Sequence, residues 1–266
     1  MRLNDRQQQL LVMLERSGEV KVAALKETFG VTEMTIRRDL EKLELAGYVK
    51  RTFGGAIPAS KDVAIGERTG VMTEEKQAIG RAAAALVREN DSIFIDGGTT
   101  TLYVARHLKP GMNVTVVTNA LNIAMELLEK RIATVVTGGM ALEATSTLVG
   151  PGTVEAIGKM AFDRVFLGAT GLTAKHGFSN SNMHEAEIKR MAIAKASEVN
   201  VVIDHTKFGA KELFSFADIA DVHRIIASRL PDGELQTACQ ESGTALLIAD
   251  KMFESNKFID TGIENQ

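Results

Sequence analysis

Between residues 4 and 45 the apolar positions recur at helical spacing, and three short helices account for them. In "NDRQQQLLVMLERSG", Leu10, Leu11, Met13 and Leu14 gather on one side, Asn4 or Asp5 caps the start and Gly18 ends it. "EVKVAALKETFG" reads as a short extended piece and then a second helix, with Val22, Leu25 and Phe29 facing a core and Gly30 as the stop. Thr32 offers a side-chain oxygen to the free amides of a third helix. There Ile36, Leu40 and Leu43, at i, i+4 and i+7, make a buried stripe. At ~100° per residue, Met34, Arg38 and Glu41 point away from that stripe, and Thr35 and Arg37 flank it. After Gly47, "YVKRTFGGA" alternates apolar and basic residues and turns at Gly54-Gly55, the pattern of a two-stranded wing.

The pattern then changes. Residues 58–72, "PASKDVAIGERTGVM" at its fullest extent, lack helical periodicity and read as a linker. Thr73, Glu74 and Glu75 start a helix that is expected to run through "KQAIGRAAAALVREN", since acids favour the positive end of the helix dipole. From there to residue 252, short apolar strands alternate with helices. "SIFID" leads into Gly97-Gly98-Thr99-Thr100-Thr101 and the helix "LYVARHL". "NVTVVT" leads into Asn119 and "ALNIAMELLEK", and "RIATVVT" into Gly138-Gly139. "RVFLGAT" leads into Gly171, "NVVID" into His205-Thr206-Lys207, and "RIIAS" and "TALLIA" close the series. This alternation predicts an α/β domain with a largely parallel sheet. Met125, Met140, Met160 and Met191 read as core filler, and residues 253–266 as a tail without a role.

Composition narrows the classes. The 266 residues have ordinary apolar content, so a sizeable core can be buried, and the absence of Trp argues against a large aromatic platform. Cys239 is the only cysteine, which excludes an intrachain disulfide or Cys-based zinc site and fits a cytoplasmic setting. It is expected to pack as a small hydrophobe. The polar start "MRLNDRQQQLL" is unlike a signal peptide, and no run of eighteen apolar residues would span a membrane. The net charge of -3 is uneven: residues 1–57 carry ten Lys/Arg against eight Asp/Glu, and the remainder is acidic. An anionic partner is therefore expected for the first unit only.

Three helices with a tight turn before the third are the helix-turn-helix plan, in which the third helix enters the major groove. Arg37 and Arg38 suit contact with guanine or phosphate, with Thr32, Met34 and Thr35 on the same approach, and Lys50 and Arg51 are placed to grip phosphate from the wing. Double-stranded DNA is the expected partner.

"VTEMTIRRDLEKLELAGYVKRTFGGA" closely resembles the signature of the DeoR-type winged-helix regulators, with Phe53 where that family has His. "DGGTTT", "VVTNA", "TGG", "FLGATGL", "EAEIKR" and "DHTKFG" are similar to the family's sensor domain. The resemblance implies a winged helix followed by an α/β domain with the fold of ribose-5-phosphate isomerase. It also implies repression of a carbohydrate operon relieved by a phosphorylated sugar. On that resemblance Asp96, Gly98, Thr99 and Thr100 are ligand-loop residues, Asn119 and Gly139 line the pocket, and Lys189, Asp204 and Lys207 are polar groups around the ligand.

The residues alone give part of this. In open α/β sheets ligands sit outside the carboxyl ends of strands, where the glycines and polar residues fall here. Thr99 to Thr101 open a helix, a ready anion site. The spacing matches neither GxGxxG nor GxxxxGK[ST], so dinucleotide and P-loop readings are poor. Bland alternatives stand beside these. Lys189 follows Glu185 at i+4, the spacing of a surface ion pair, and Asp204 with Lys207 reads equally as a structural pair. His107, His176, His184, His205 and His223 show no metal-ligand pairing, and no cofactor is expected. An isomerase-like enzyme with a DNA-binding appendage is the alternative, with Asp96, Glu187 and Asp204 as conceivable acid/base groups. The regulator is favoured because an isomerase has no use for a recognition helix. A homo-oligomer is expected, because one winged helix reads too few base pairs.

Overall fold

The computed structural model describes residues 4–17, 20–45, 48–52, 54–58 and 72–249. The expected stop at Gly18, Gly47, the wing residue Phe53, residues 59–71 of the linker and the tail lie outside them. The chain divides into two compact units, Met1–Val63 and Ala64–Gln266.

In the first unit, α1 (Asp5–Ser17), α2 (Val22–Phe29) and α3 (Glu33–Leu45) pack with a sheet in the order β1-β3-β2: β1 (Val20–Lys21), β2 (Val49–Thr52), β3 (Gly55–Pro58). Its core is the one the spacing predicts. Leu10, Leu14, Val22, Leu25, Ile36, Leu40 and Leu43 are buried, with Met13 and Phe29 against them. Gly30 leaves α2 at φ 62°, a left-handed conformation that sets the sharp turn before α3. A Cβ on Gly55 would stand 2.1 Å from the Val20 carbonyl oxygen, so the wing closes on β1 only with glycine there.

The second unit begins with α4 (Thr73–Ala84) and is built on a seven-stranded sheet in the order β15-β14-β12-β9-β4-β5-β6. In chain order its elements are β4 (Ser92–Ile95), α5 (Thr99–His107), β5 (Thr115–Thr118), α6 (Leu121–Glu129) and β6 (Ala133–Val136). A hairpin follows, β7 (Met140–Leu142) and β8 (Thr147–Val149), then α7 (Pro151–Gly158), β9 (Phe162–Gly168), β10 (Gly171–Thr173) and β11 (Gly177–Asn180). The rest is α8 (Met183–Ala194), β12 (Ala196–Ile203), β13 (Phe214–Ala217), β14 (Arg224–Ala227), α9 (Gly233–Ser242) and β15 (Ala245–Ile248). Every pairing in the large sheet is parallel. β10, β11 and β13 form a small antiparallel sheet beside it.

The strands are apolar on both faces, as a covered parallel sheet requires. Phe94, Val165, Leu167, Val201 and Ile225 face one core with residues of α7, α8 and α9. Ile93, Ile95, Phe166, Val202 and Ile226 face the other with residues of α4, α5 and α6. Gly80 lets α4 approach α5, for a Cβ there would lie 2.4 Å from that of Tyr103. Cys239 is buried and burial pushes its thiol up, in keeping with a packed hydrophobe.

Some expectations need correction. α4 stops at Ala84 rather than running through Asn90. Leu86 and Val87 donate to carbonyls three residues back, tightening the turn, and the Asp91 carboxylate takes the Arg88 N–H at 2.7 Å. Met160 and Met191 pack against the core, but Met125 and Met140 are exposed, at 60% and 63%. The hairpin β7–β8 and the small sheet carry no distinct period in the sequence. Among the described residues no helix is long and apolar enough to cross a membrane.

Candidate functional site

The exposed face of α3 is arranged as its spacing predicts. Thr32 caps the helix: its hydroxyl accepts from the Thr35 N–H at 3.2 Å and lies 2.9 Å from the Thr35 hydroxyl. Met34 is 69% exposed. Arg37 is tied only loosely to Glu33, at 3.7 Å, and both are exposed. Arg38 is exposed and makes no ion pair among the described residues. Arg51 is already engaged: its Nε and backbone N–H donate to Glu44 at 2.6 and 2.8 Å. The backbone N–H of Arg51, and then its guanidinium, hold the Glu44 carboxyl below its usual range. The wing is thereby clamped to the end of α3. Lys50 belongs to β2, and its side chain lies outside what is described.

One residue of "TIRRDL" faces inward and was not anticipated. Asp39 is buried and accepts from Arg6 Nε at 2.6 Å and Gln7 Nε2 at 3.0 Å, both on α1. This bracket sets the angle of α3 against α1, and so the direction in which Arg37 and Arg38 point.

In the second unit the sheet order places the candidate site. The chain builds β4, β5 and β6 in one direction and then returns to the far side of β4 for β9. Ligands in such sheets bind outside the carboxyl ends at that reversal. Asp96 follows β4 there, and its Oδ2 accepts from the N–H of Gly168, the last residue of β9, at 3.2 Å. Lys189 on α8 reaches the same oxygen. The expectation of a surface Glu185–Lys189 pair is therefore corrected: both residues are buried, and Lys189 pairs with Asp96 instead. Its ammonium also sits 5.5 Å from the centroid of the Phe216 ring. Burial lifts the Asp96 carboxyl above the usual carboxylate range, against the pull of Lys189 and the Gly168 N–H.

Glu185, expected only as the surface partner of Lys189, joins this cluster. It accepts from Thr147 at 3.2 Å and from Asn180 at 2.7 Å, and Thr147 in turn bonds Thr145 at 2.7 Å. The sequence did hold a signal for it. Glu185, Lys189 and Ala192 stand at i, i+4 and i+7, and Ala192 is buried, so the two charges lie on the apolar face of α8. Asn180 and Thr147 gave none, being brought in by the small sheet and the hairpin.

Beside Asp96, a Cβ on Gly97 would stand 2.1 Å from Thr147 Cγ2, so the loop passes directly under β8. Gly98 precedes α5, and Thr99 and Thr100 open it, only 2% and 8% exposed. Neither hydroxyl makes a hydrogen bond among the described residues, whereas Thr101 donates to the Gly98 carbonyl at 3.0 Å. Asn119, fully buried after β5, donates from Nδ2 to the Leu148 carbonyl at 3.2 Å and leaves Oδ1 without a partner among the described residues. A buried acceptor left open in this way is costly unless something meets it.

The remaining expected residues are more scattered. Gly139 (φ 128°) is wedged where a Cβ would lie 2.1 Å from Thr153 Oγ1, which gives it a packing reason of its own. Asp204 does not pair with Lys207. Its carboxylate instead takes the Thr206 N–H at 3.1 Å, together with the Thr206 hydroxyl, and caps a 3-10 turn, His205–Lys207. Among the described residues no hydrogen bond or ion pair joins Asp204 or Lys207 to the Asp96 cluster. His205 bonds Glu75 of α4 at 2.8 Å. No group of three or more His, Cys, Asp or Glu among the described residues is placed to hold a metal ion.

Comparison with known proteins adds three findings. The family described as "DeoR-like helix-turn-helix domain" matches residues 6–62, and "DeoR C terminal sensor domain" matches residues 71–229. The chain is 34% identical over 236 residues to the HTH-type transcriptional regulator IolR of Bacillus subtilis, covering 87% of this chain and 94% of that one. It is 30% identical to the HTH-type transcriptional regulator GlpR of Haloferax volcanii (91% and 96% covered) and 29% identical to the HTH-type transcriptional repressor GlcR of B. subtilis (91% and 95%). Among solved structures, ribose-5-phosphate isomerase A of Methanocaldococcus jannaschii aligns with 51% of this chain and 54% of its own, at 15% identity and a TM-score of 0.39.

Proposed function

Since this chain belongs to the DeoR family of helix-turn-helix transcriptional regulators, we propose that it represses a carbohydrate-use operon and that a phosphorylated sugar, bound in its second unit, releases it from operator DNA. The observation that carries this reading is the pair of threonines, Thr99 and Thr100, at the start of α5 beside the Asp96–Lys189 pair: both residues are buried, and neither hydroxyl makes a hydrogen bond among the described residues. A phosphate takes the α5 amides and these hydroxyls. The open Oδ1 of Asn119 accepts a sugar hydroxyl. In the DNA-reading unit Arg37 and Arg38 meet base edges from the outer face of α3, and Lys50 and Arg51 meet phosphate.

Control follows from linkage. A ligand that favours the form with low DNA affinity must lower DNA affinity by the factor by which DNA lowers its own. A factor of 100 needs only about 2.7 kcal/mol of coupling, within reach of a few charge-assisted hydrogen bonds.

One observation favours a second reading, catalysis on a sugar phosphate: Asp96, Lys189 and Glu185 gather acid and base groups that the sequence left apart. The test of the first reading is operator affinity across a panel of sugar phosphates for wild type and Thr99→Val. The variant is expected to bind operator normally and no longer respond. Release of the variant as readily as wild type rejects the threonine loop as the sensor. Turnover of a released sugar phosphate in the same panel would move the reading to the second.

A further inference from the structure

Met34 is an apolar side chain in polar company. It belongs to the first turn of α3 and is the more exposed of two large apolar residues in the first unit, against 46% for Val12 on α1. Glu33, Arg37, Arg38, Glu41 and Lys42 are exposed on the same helix. At ~100° per residue Met34, Arg38 and Glu41 fall within about 40° of one another, facing away from Ile36, Leu40 and Leu43. Those three already complete the buried stripe, so packing gives Met34 no reason to be apolar.

A single exposed apolar residue is ordinary on a protein surface, so its position must decide. The N-terminal residues of a recognition helix are the ones that reach base edges. Several side chains stand there, and most are engaged with one another. The hydroxyls of Thr32 and Thr35 lie 2.9 Å apart, and that of Thr32 also accepts the Thr35 N–H at 3.2 Å. Arg37 lies 3.7 Å from Glu33. Arg38 makes no ion pair among the described residues. Met34 and Arg38 are therefore the outward pair, one helical turn apart. Four residues rise about 6 Å along the axis, close to two base-pair steps of about 3.4 Å.

The major groove offers hydrogen-bonding atoms at every base pair and a single apolar feature, the 5-methyl group of thymine. A thioether has no donor and only a weak acceptor, so it cannot read the polar edges. Set against them it would displace water without replacing the lost hydrogen bonds. Against a thymine methyl it buries apolar surface on both sides, and its flexible, polarizable chain adapts to the contact. We infer that Met34 is a specificity-determining residue: it reads the 5-methyl group of a thymine that lies within two or three base pairs of a guanine held by Arg38. This rests on α3 being the helix that meets base edges, and adds to that reading the chemistry of one contact.

The test begins with an operator selected from random duplex DNA by the full-length chain. Each thymine of the selected site is then replaced in turn by deoxyuridine, which removes the methyl and keeps every hydrogen-bonding group. One replacement near the guanine is expected to weaken wild-type binding about fourfold, the worth of one buried methyl-sized group. Met34→Ala, at an exposed helical position that alanine suits, is expected to bind the thymine and deoxyuridine sites alike. Met34→Leu is expected to keep the discrimination. Arg38→Ala is expected to keep it too, while losing the preference for the nearby guanine. Wild type indifferent to every deoxyuridine overturns the inference, and a guanine preference still lost in Arg38→Ala would leave the role of α3 standing. Undiminished discrimination in Met34→Ala also overturns it, because another residue then reads the methyl. Enrichment of no sequence at all removes the base-reading role of α3 itself.

Discussion

The ammonium of Lys189 on α8 is held against the carboxylate of Asp96, 93 residues earlier in the chain, and both are buried. Removing the cation leaves a buried carboxylate with no opposite charge, at a cost of about 3–5 kcal/mol for a pair of this kind. Lys189→Met is expected to lose stability of that order at neutral pH. Its pH dependence has a definite sign. With the Asp96 pKa already raised by burial and Lys189 gone, the folded state holds the proton more tightly than the unfolded one. Stability is then greatest in mild acid and falls as pH rises above the ordinary value of 3.8 toward the raised one. Urea unfolding at pH 5 and pH 8 checks this, and an equal loss at both would contradict it.

Arg38 and Arg51 are expected to separate in DNA binding. Arg38→Ala removes an outward guanidinium that makes no ion pair among the described residues, and should cost about 1–3 kcal/mol on the specific operator only. Arg51→Ala unclamps the wing from Glu44. It should weaken all sequences alike and flatten the log–log salt slope by about one. Competition binding against scrambled DNA at several salt concentrations reads both. A change of base preference in Arg51→Ala would show the wing reading bases.

Asp39→Ala is expected to act on the fold rather than on contact with DNA. It leaves Arg6 and Gln7 without their acceptor, at about 1–3 kcal/mol. Hydrogen exchange at α1 and α3 amides should accelerate in Asp39→Ala and stay unchanged in Arg38→Ala. The opposite ranking would place Asp39 on the DNA side.

Glu75 ties the first turn of α4 to His205, at 2.8 Å, and to Arg229, at 3.3 Å. Burial alone would raise its carboxyl, but hydrogen bonds from Ser228 and His205 and the nearby cations bring it below the ordinary 4.5. A depressed acid contributes stability above its unfolded value and loses it as pH falls through the folded one. Glu75→Gln should therefore flatten the loss of thermal stability below about pH 4.5. A variant curve parallel to wild type throughout the acid range would remove Glu75 from that account.

What the sequence disclosed was local. Ile36, Leu40 and Leu43 declared α3 because helical spacing is visible within a dozen residues, and the strand ends declared the face on which the candidate site lies. What it withheld depends on distant partners. Nothing near Lys189 names Asp96, and nothing near Asp39 names Arg6. A charge within an apolar stripe is legible as inward, as with Glu185, but its acceptor is not. Met125 misled because apolar character at helical spacing does not say which face meets the sheet, and Ile123, Ala124 and Leu127 take that face.

The seam between β4 and β9 sets an order of events during synthesis. It joins residues 93–95 to residues 164–166, so β4 keeps one open edge while the whole stretch between is being made. The first unit, complete within its own short stretch, is free to fold well before that seam closes. The candidate site straddles the seam and also draws on Lys189. A nascent chain therefore owns its DNA-reading fold long before it owns a sensor. Any chain cut short ahead of Lys189 carries the first without the buried ion pair of the second.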